Sequence, residues 1–178
     1  MSETAAVLTG EEIITLINSY RPLLENMPDM EAQVQPNGVD LTIKEIAGLD
    51  SAGIIAVDNK DRKLSTASPL VFDGSGAVDL KPGCYLITCN EIVNIPDNVT
   101  AIAHPRSSLL RCGVSVHNAV WDAGYSGRSQ ALMVVHNPAG FRIYKNARFI
   151  QLIFLRLSGE VKEGYRGIFQ GENLGKQA

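Results

Sequence analysis

From residue 38 onward the chain keeps a steady cadence: short apolar runs, each cut off by a cluster of turn residues. Pro36-Asn37-Gly38 opens a run at 38–43. Asp73-Gly74-Ser75-Gly76 separates 70–72 from 77–80, and Lys81-Pro82-Gly83 introduces 84–88. Pro96-Asp97-Asn98 follows 91–95 and leads into 99–103. Asn137-Pro138-Ala139-Gly140 stops the apolar run 131–135, and Lys145-Asn146 follows the alternating 141–144. Residues 149–157 form the longest core-strand candidate. Pro fixes φ, Gly reaches left-handed turns, and Asn and Asp bond their own backbone, so these clusters end strands for physical reasons. Strands of this length and spacing point to a mainly β fold, an all-β sandwich or barrel. The apolar run 53–57 fits the same series, whereas 59–66 is polar and reads as a loop or edge. With 178 residues and neither a repeat nor a linker, a single domain over 1–178 is expected.

The start and the end depart from this cadence. Thr9-Gly10-Glu11-Glu12 reads as a capping box, and Ile13, Ile14, Leu16 and Ile17 give a helical stripe, so a helix is expected over 9–21, closed by Pro22. Residues 160–178 are polar, and Gly164, Gly167, Gly171 and Gly175 punctuate them. Such a tail builds no core of its own; it is either disordered or orders over a ligand. The first residues lack the basic-then-apolar pattern of a secretory signal, and no apolar run has the length of a membrane span, so the expected location is cytoplasmic. Cys84, Cys89 and Cys112 fit neither a disulfide framework nor a zinc spacing and read as reduced core thiols. His104, His117 and His136 likewise lack a ligand spacing, and no Gly-rich phosphate loop or zinc deaminase signature is present.

Charge narrows the function. The net charge is −3, which argues against long nucleic acid as a partner. Yet between Asp97 and Glu160 the single carboxylate is Asp122, accompanied by Arg106, Arg111, Arg128, Arg142, Lys145, Arg148 and Arg156. Either this is a run of strands with solvated arginines, or it gathers positive charge for a small anion. Arg106-Ser107-Ser108 sets a planar donor fork beside two hydroxyls, a pattern that suits phosphate, although a helix start capped by serine explains it as well. Asp122 lies in a glycine-bearing turn with Gly124 and Gly127. It is a turn former or an acid able to hold a water, and Tyr125 offers a flat ring nearby.

These segments together resemble the dUTPase and dCTP deaminase superfamily, most closely its dUTPases of archaeal type. Gly38-Val39-Asp40-Leu41 is similar to the first motif, and Ile95-Pro96 with Pro105-Arg106-Ser107-Ser108-Leu109 to the second. Asp122-Ala123-Gly124-Tyr125-Ser126-Gly127 is similar to the third, Arg148 with Gln151-Leu152 to the fourth, and Tyr165 through Gly171 to the fifth. The segment His117 to Asp122 is shorter than the family pattern, and the stretch from Asp122 to Asn137 longer. The resemblance implies a distorted jelly-roll β-barrel with one N-terminal helix, assembled as a homotrimer with sites between subunits. It implies dUTP as a small-molecule substrate, Mg²⁺ carried by the phosphates, and no nucleic-acid or membrane partner. By the match, Arg106, Ser107 and Ser108 would grip phosphate with Arg111 and Gln151. His117 and Asn118 would lie in the base-reading hairpin, and Tyr125 under the deoxyribose. Asp122 would activate water, and the tail with Gln170 would close over the nucleotide. The family's deaminases carry a Glu on the strand after the Asp hairpin. Residues 129–136 here contain no carboxylate, and proton transfer at the ring needs one, so hydrolysis of dUTP to dUMP and pyrophosphate is expected. The alternatives are a dCTP deaminase or bifunctional deaminase, and a non-catalytic nucleotide-binding barrel.

Overall fold

The computed structural model describes residues 6–175; the first five residues, where a signal pattern was sought, and the last three of the expected tail lie outside the described residues. The strands are β1 (Leu24–Glu25), β2 (Val34–Gln35), β3 (Gly38–Leu49), β4 (Ala67–Pro69), β5 (Ala77–Leu80), β6 (Gly83–Cys89), β7 (Ile92–Asn94), β8 (Val99–Pro105), β9 (Val114–His117), β10 (Ser126–Gly127), β11 (Gln130–Val135), β12 (Phe141–Tyr144) and β13 (Arg148–Arg156). The main sheet runs β8-β13-β3-β6-β11-β9, with β2 and β4 also paired to β3. A three-stranded sheet β1-β7-β10 and the pair β12-β5 complete a mainly β, nearly closed barrel.

Helices are few. The helix α1 (Gly10–Ile17) starts as the capping box requires: Thr9 Oγ1 accepts from the Glu12 amide, and Glu12 accepts from the Thr9 amide. It stops at Ile17, short of the expected Arg21, because Asn18 turns the chain and the Ser19 hydroxyl takes the Leu16 and Arg21 carbonyls. The single turn α2 (Met30–Gln33) was not anticipated as a helix, whereas the single turn α3 (Ser107–Arg111) begins where a helix start was one reading of Arg106-Ser107-Ser108.

Burial follows from register. On β11, Ala131, Met133 and Val135 point inward and their neighbours are half-covered, the period of two that a strand imposes. On β13, Phe149, Ile150, Leu152 and Phe154 are fully buried, each worth about 1.5–3 kcal/mol of apolar transfer. Between β13 and β6, β3 has neighbours on both edges, and Val39, Leu41 and Ile43 are fully buried. Inside lies a polar layer. The fully buried Glu91 accepts from the Thr42 amide (3.0 Å), the Thr42 hydroxyl (2.6 Å) and Gln33 Nε2 (2.7 Å). Burial pushes its carboxyl above the ordinary value, and those donors oppose the shift.

Three expectations fail here. Residues 53–57 form no core strand: a lone bridge joins Ile54 to Lys63, and Ile55 and Val57 face solvent. Residues 70–72 are irregular, and the strand lies just before them in β4. Of the three cysteines, all free, Cys89 alone is a core thiol, its pKa raised by burial, whereas Cys84 and Cys112 are exposed.

Candidate active site

Arg106, Ser107 and Ser108, the residues expected to grip phosphate, stand where β8 meets α3. A register shift in β13 between Arg148 and Ile150 frees the Phe149 carbonyl, which accepts from the Arg106 amide at 3.0 Å. Gln151 pairs with Asp40 on β3 and with His104 on β8, so it lies beside the same corner. Asp40, only 4% exposed at its side chain, receives Arg106 Nε at 3.0 Å and an Arg148 terminal nitrogen at 3.3 Å. Burial raises the Asp40 carboxyl above its ordinary value, and the two guanidiniums oppose that rise. Behind it, Gln33 Nε2 holds the Asp40 carbonyl, and Arg148 also donates to the Ala32 carbonyl. Arg106 is thus aimed by a buried acid, while its terminal nitrogens have no hydrogen-bond partner among the described residues. Ser107 and Ser108 are exposed. The cap position of α3 is Arg106, and neither serine caps the helix. Arg111 is exposed and donates to the Ser107 carbonyl at 2.9 Å.

Asp122 stands elsewhere. Trp121 bridges Ala101 through two backbone hydrogen bonds (3.0 and 2.9 Å), and the Thr100 hydroxyl donates to the Trp121 carbonyl. The Tyr125 amide closes the turn on the Asp122 carbonyl. This fixes the backbone and leaves the Asp122 carboxylate exposed, without a hydrogen-bond or ion-pair partner among the described residues. The bridge is antiparallel, so Asp122 lies toward Thr100, away from Arg106. Six residues of strand separate those positions, roughly 20 Å at 3.3 Å per residue. One chain therefore holds the clamp and the acid apart.

Around Asp122 a hydrogen-bonded chain runs inward. The buried Trp121 donates Nε1–H to Ser129 Oγ at 2.6 Å. Ser129 lies 3.0 Å from the Tyr125 hydroxyl, which donates to Glu172 Oε1 at 2.8 Å. An indole only donates and a carboxylate only accepts, so every hydroxyl in the chain points one way, toward Glu172. Tyr125 is 6% exposed, with Tyr165 edge-on to its ring at 5.8 Å between centroids. Burial and the Glu172 carboxylate push its phenol above the ordinary value, and burial lifts the Glu172 carboxyl as well. Asp122, Tyr125, Gln130, Tyr165, Phe169 and Glu172 border a cavity of about 260 Å³. Gln170 lies on the same loop: it accepts from the Ser126 amide and donates to the Gly124 carbonyl, both at 3.0 Å. His117 is exposed at the end of β9, its Nε2 3.2 Å from the Ser115 hydroxyl, which also meets His136. Asn118 bonds the Ala119 carbonyl.

The basic surplus around Asp122 does not survive folding as a patch. Arg142 pairs with Asp73 and Asp79, Arg156 with Glu12, and Arg106 and Arg148 with Asp40, while Arg128 donates to the Cys89 and Asn90 carbonyls. Acids distant in sequence come to the basic span, which linear counting does not see. Glu172 is a site residue that the sequence did not mark, and Asp40 was marked only as part of the first motif, with no role of its own. For Asp40 a signal existed: it is a lone carboxylate inside the apolar strand Gly38-Val39-Asp40-Leu41.

Residues 7–157 match the family model described as dCTP deaminase-like. The chain belongs to the dCTP deaminase-like family. Within it, the chain is 53% identical over 168 residues to the probable deoxyuridine 5'-triphosphate nucleotidohydrolase of Methanosarcina mazei, covering 94% of this chain and 98% of that protein. It is 36% identical over 155 residues to the deoxyuridine 5'-triphosphate nucleotidohydrolase of Methanocaldococcus jannaschii, covering 86% and 96%. Among solved structures it is similar to the 2'-deoxycytidine 5'-triphosphate deaminase of Agrobacterium tumefaciens. The TM-score is 0.63 and the identity 22%, over 86% of this chain and 49% of that one, a likeness of fold. The family's barrel is thus the frame on which clamp and acid are mounted at separate corners.

Proposed function

We propose that this protein is a dUTP diphosphatase, converting dUTP and water to dUMP and pyrophosphate. The observation that carries the reading is the pair of uncommitted groups: the exposed Asp122 carboxylate on a braced turn, and the exposed Ser107 and Ser108 beside Arg106, which Asp40 aims. The names of relatives that match it over nearly their full length supply the substrate.

In this reading Asp122 accepts a proton from the water that attacks the α-phosphorus. Arg106, with Ser107, Ser108, Arg111 and Gln151, takes the charge that grows on the phosphate oxygens. The nucleoside lies against the Asp122 loop, where the tail aromatics packed over the buried Tyr125 offer flat surfaces and the His117–Asn118 end of the hairpin faces the base. Among the described residues no cluster of three or more His, Cys, Asp or Glu could cage an ion. Mg²⁺ would be held through the substrate phosphates and water rather than by a protein cage, and would there offset the triphosphate charge. Because one chain separates clamp from acid by the length of β8, a complete site requires the clamp of one copy and the Asp122 loop of another. A homotrimer, with three such sites, is the assembly proposed.

Deamination has less support. No carboxylate stands on β11, and the other acid at the cavity, Glu172, is held by Tyr125. The test is a panel of dUTP, dCTP, dTTP and UTP with Mg²⁺, reading pyrophosphate and ammonia together. Pyrophosphate from dUTP alone, without ammonia, is expected. Ammonia from dCTP would overturn the assignment, and dUTP binding without either product would leave a nucleotide-binding barrel.

A further inference from the structure

After β13 the chain does not leave the barrel. The Leu157 amide donates to Asn98, Val161 to Asp97, Tyr165 to Ala123 and Gly171 to Ser126, while the Arg128 amide donates to the Glu172 carbonyl. Asn173 Nδ2 bonds the Arg128 carbonyl. The tail is thus fastened every few residues, first to the turn before β8 and then along 123–128. To serve a neighbour it would have to release all of them.

Two side chains do more than fasten. The Gln170 carboxamide satisfies one donor and one acceptor of the turn backbone, at Ser126 and Gly124. Glu172 ends the one-way chain that begins at Trp121, the residue before Asp122. Without that acceptor the buried Tyr125 hydroxyl can turn its proton only to Ser129 Oγ, which already takes the Trp121 indole, so the one-way chain is lost and its anchor on the tail with it.

We propose that Gln170 and Glu172 are positioning residues for the hydrolysis, and that each tail braces the Asp122 loop of its own chain. The inference rests on Asp122 being the water-activating group.

Two experiments test it. Glu172→Ala should lower kcat for dUTP roughly tenfold, the effect of a lost hydrogen bond to a charged group. Glu172→Gln, which keeps an acceptor for Tyr125, should restore most of it. Trp121 is the single tryptophan, so its emission should shift in Glu172→Ala and return in Glu172→Gln. Wild-type kcat in Glu172→Ala would overturn the positioning role. For the second, chains carrying Asp122→Ala are mixed with Gln170→Ala/Glu172→Ala chains, unfolded and refolded together. Bracing within one chain predicts no activity above that of the tail variant alone, since no Asp122 then has an intact tail. A several-fold rise would show that tails serve neighbours and would overturn the same-chain assignment while leaving the hydrolase reading intact. The single variants replace the double one if it does not fold. A wild-type protein that releases no pyrophosphate from dUTP would instead reject the hydrolase reading itself.

Discussion

The two corners of the candidate site are held in opposite ways. At the clamp, Arg106 is aimed by a buried acid, a frame strand and a polar layer beneath, so its geometry exists as soon as the barrel forms. At the Asp122 loop the framework supplies the bridge to Ala101, two backbone bonds between Ile95 and residues 124–125, and the pairing of β10 with β7, and the tail adds side-chain bonds at Gly124, Tyr125 and Ser126. In the proposed reading the charge-neutralising corner is complete once the barrel forms, whereas the acid's turn is held by the barrel and tightened further by the chain's last segment. Phosphate affinity and turnover should therefore separate under mutation.

The largest effect expected is on turnover. Asp122→Ala should reduce dUTP hydrolysis about a thousandfold, in the range of a lost general base. dUTP affinity and urea stability should hold, because the exposed carboxylate has no partner to lose. Turnover like that of the wild type would remove Asp122 from the mechanism and dissolve the comparison. Next comes stability. Asp40→Ala leaves two guanidiniums facing a hole and should cost about 3 kcal/mol in urea unfolding. A cost below about 1 kcal/mol would mean that the clamp is no better supported than the loop.

The sequence exposed the barrel because its signals are local: a period of two, turn clusters, and a capping box readable from Thr9 and Glu12. Residues 53–57 misled because apolar composition does not say whether a segment has a partner, and Ile55 and Val57 have solvent. The basic run misled for a related reason: the acids that neutralise Arg142 and Arg156 lie far upstream at Asp73, Asp79 and Glu12. Asp122, Arg106 and the serines were legible as residue types able to do phosphate chemistry, and as motifs. Their separation within one chain was not, since it depends on the sense of one β-bridge. Glu172 was invisible because nothing in a Gly-rich tail announces what it folds onto.

The smallest effect expected is on pH dependence. Burial raises the Glu172 carboxyl in the docked tail above its ordinary 4.5, so the docked form holds that proton more tightly than a free tail would. Docking should be strongest below 4.5 and weaken as pH rises through the raised value. The Ser126 amide, which Gln170 covers, should then exchange faster with solvent as pH rises, after correction for intrinsic exchange. The Arg106 amide on Phe149 should not change. Parallel behaviour of both amides would erase the distinction between the corners.

The tail crosses the loop where two glycines meet. A side chain begun at Gly124, whose φ is +79°, would come within 2.6 Å of the Gly164 α-carbon, and one begun at Gly164 within 2.9 Å of the Gly124 α-carbon. Backbone meets backbone there, so neither position can accept a larger residue by adjusting a rotamer, and a change at one is not compensated by a change at the other. The Asp122 turn and a terminal segment forty residues later therefore meet through backbone alone, and a transplanted tail would dock only on a loop that also carries its glycine.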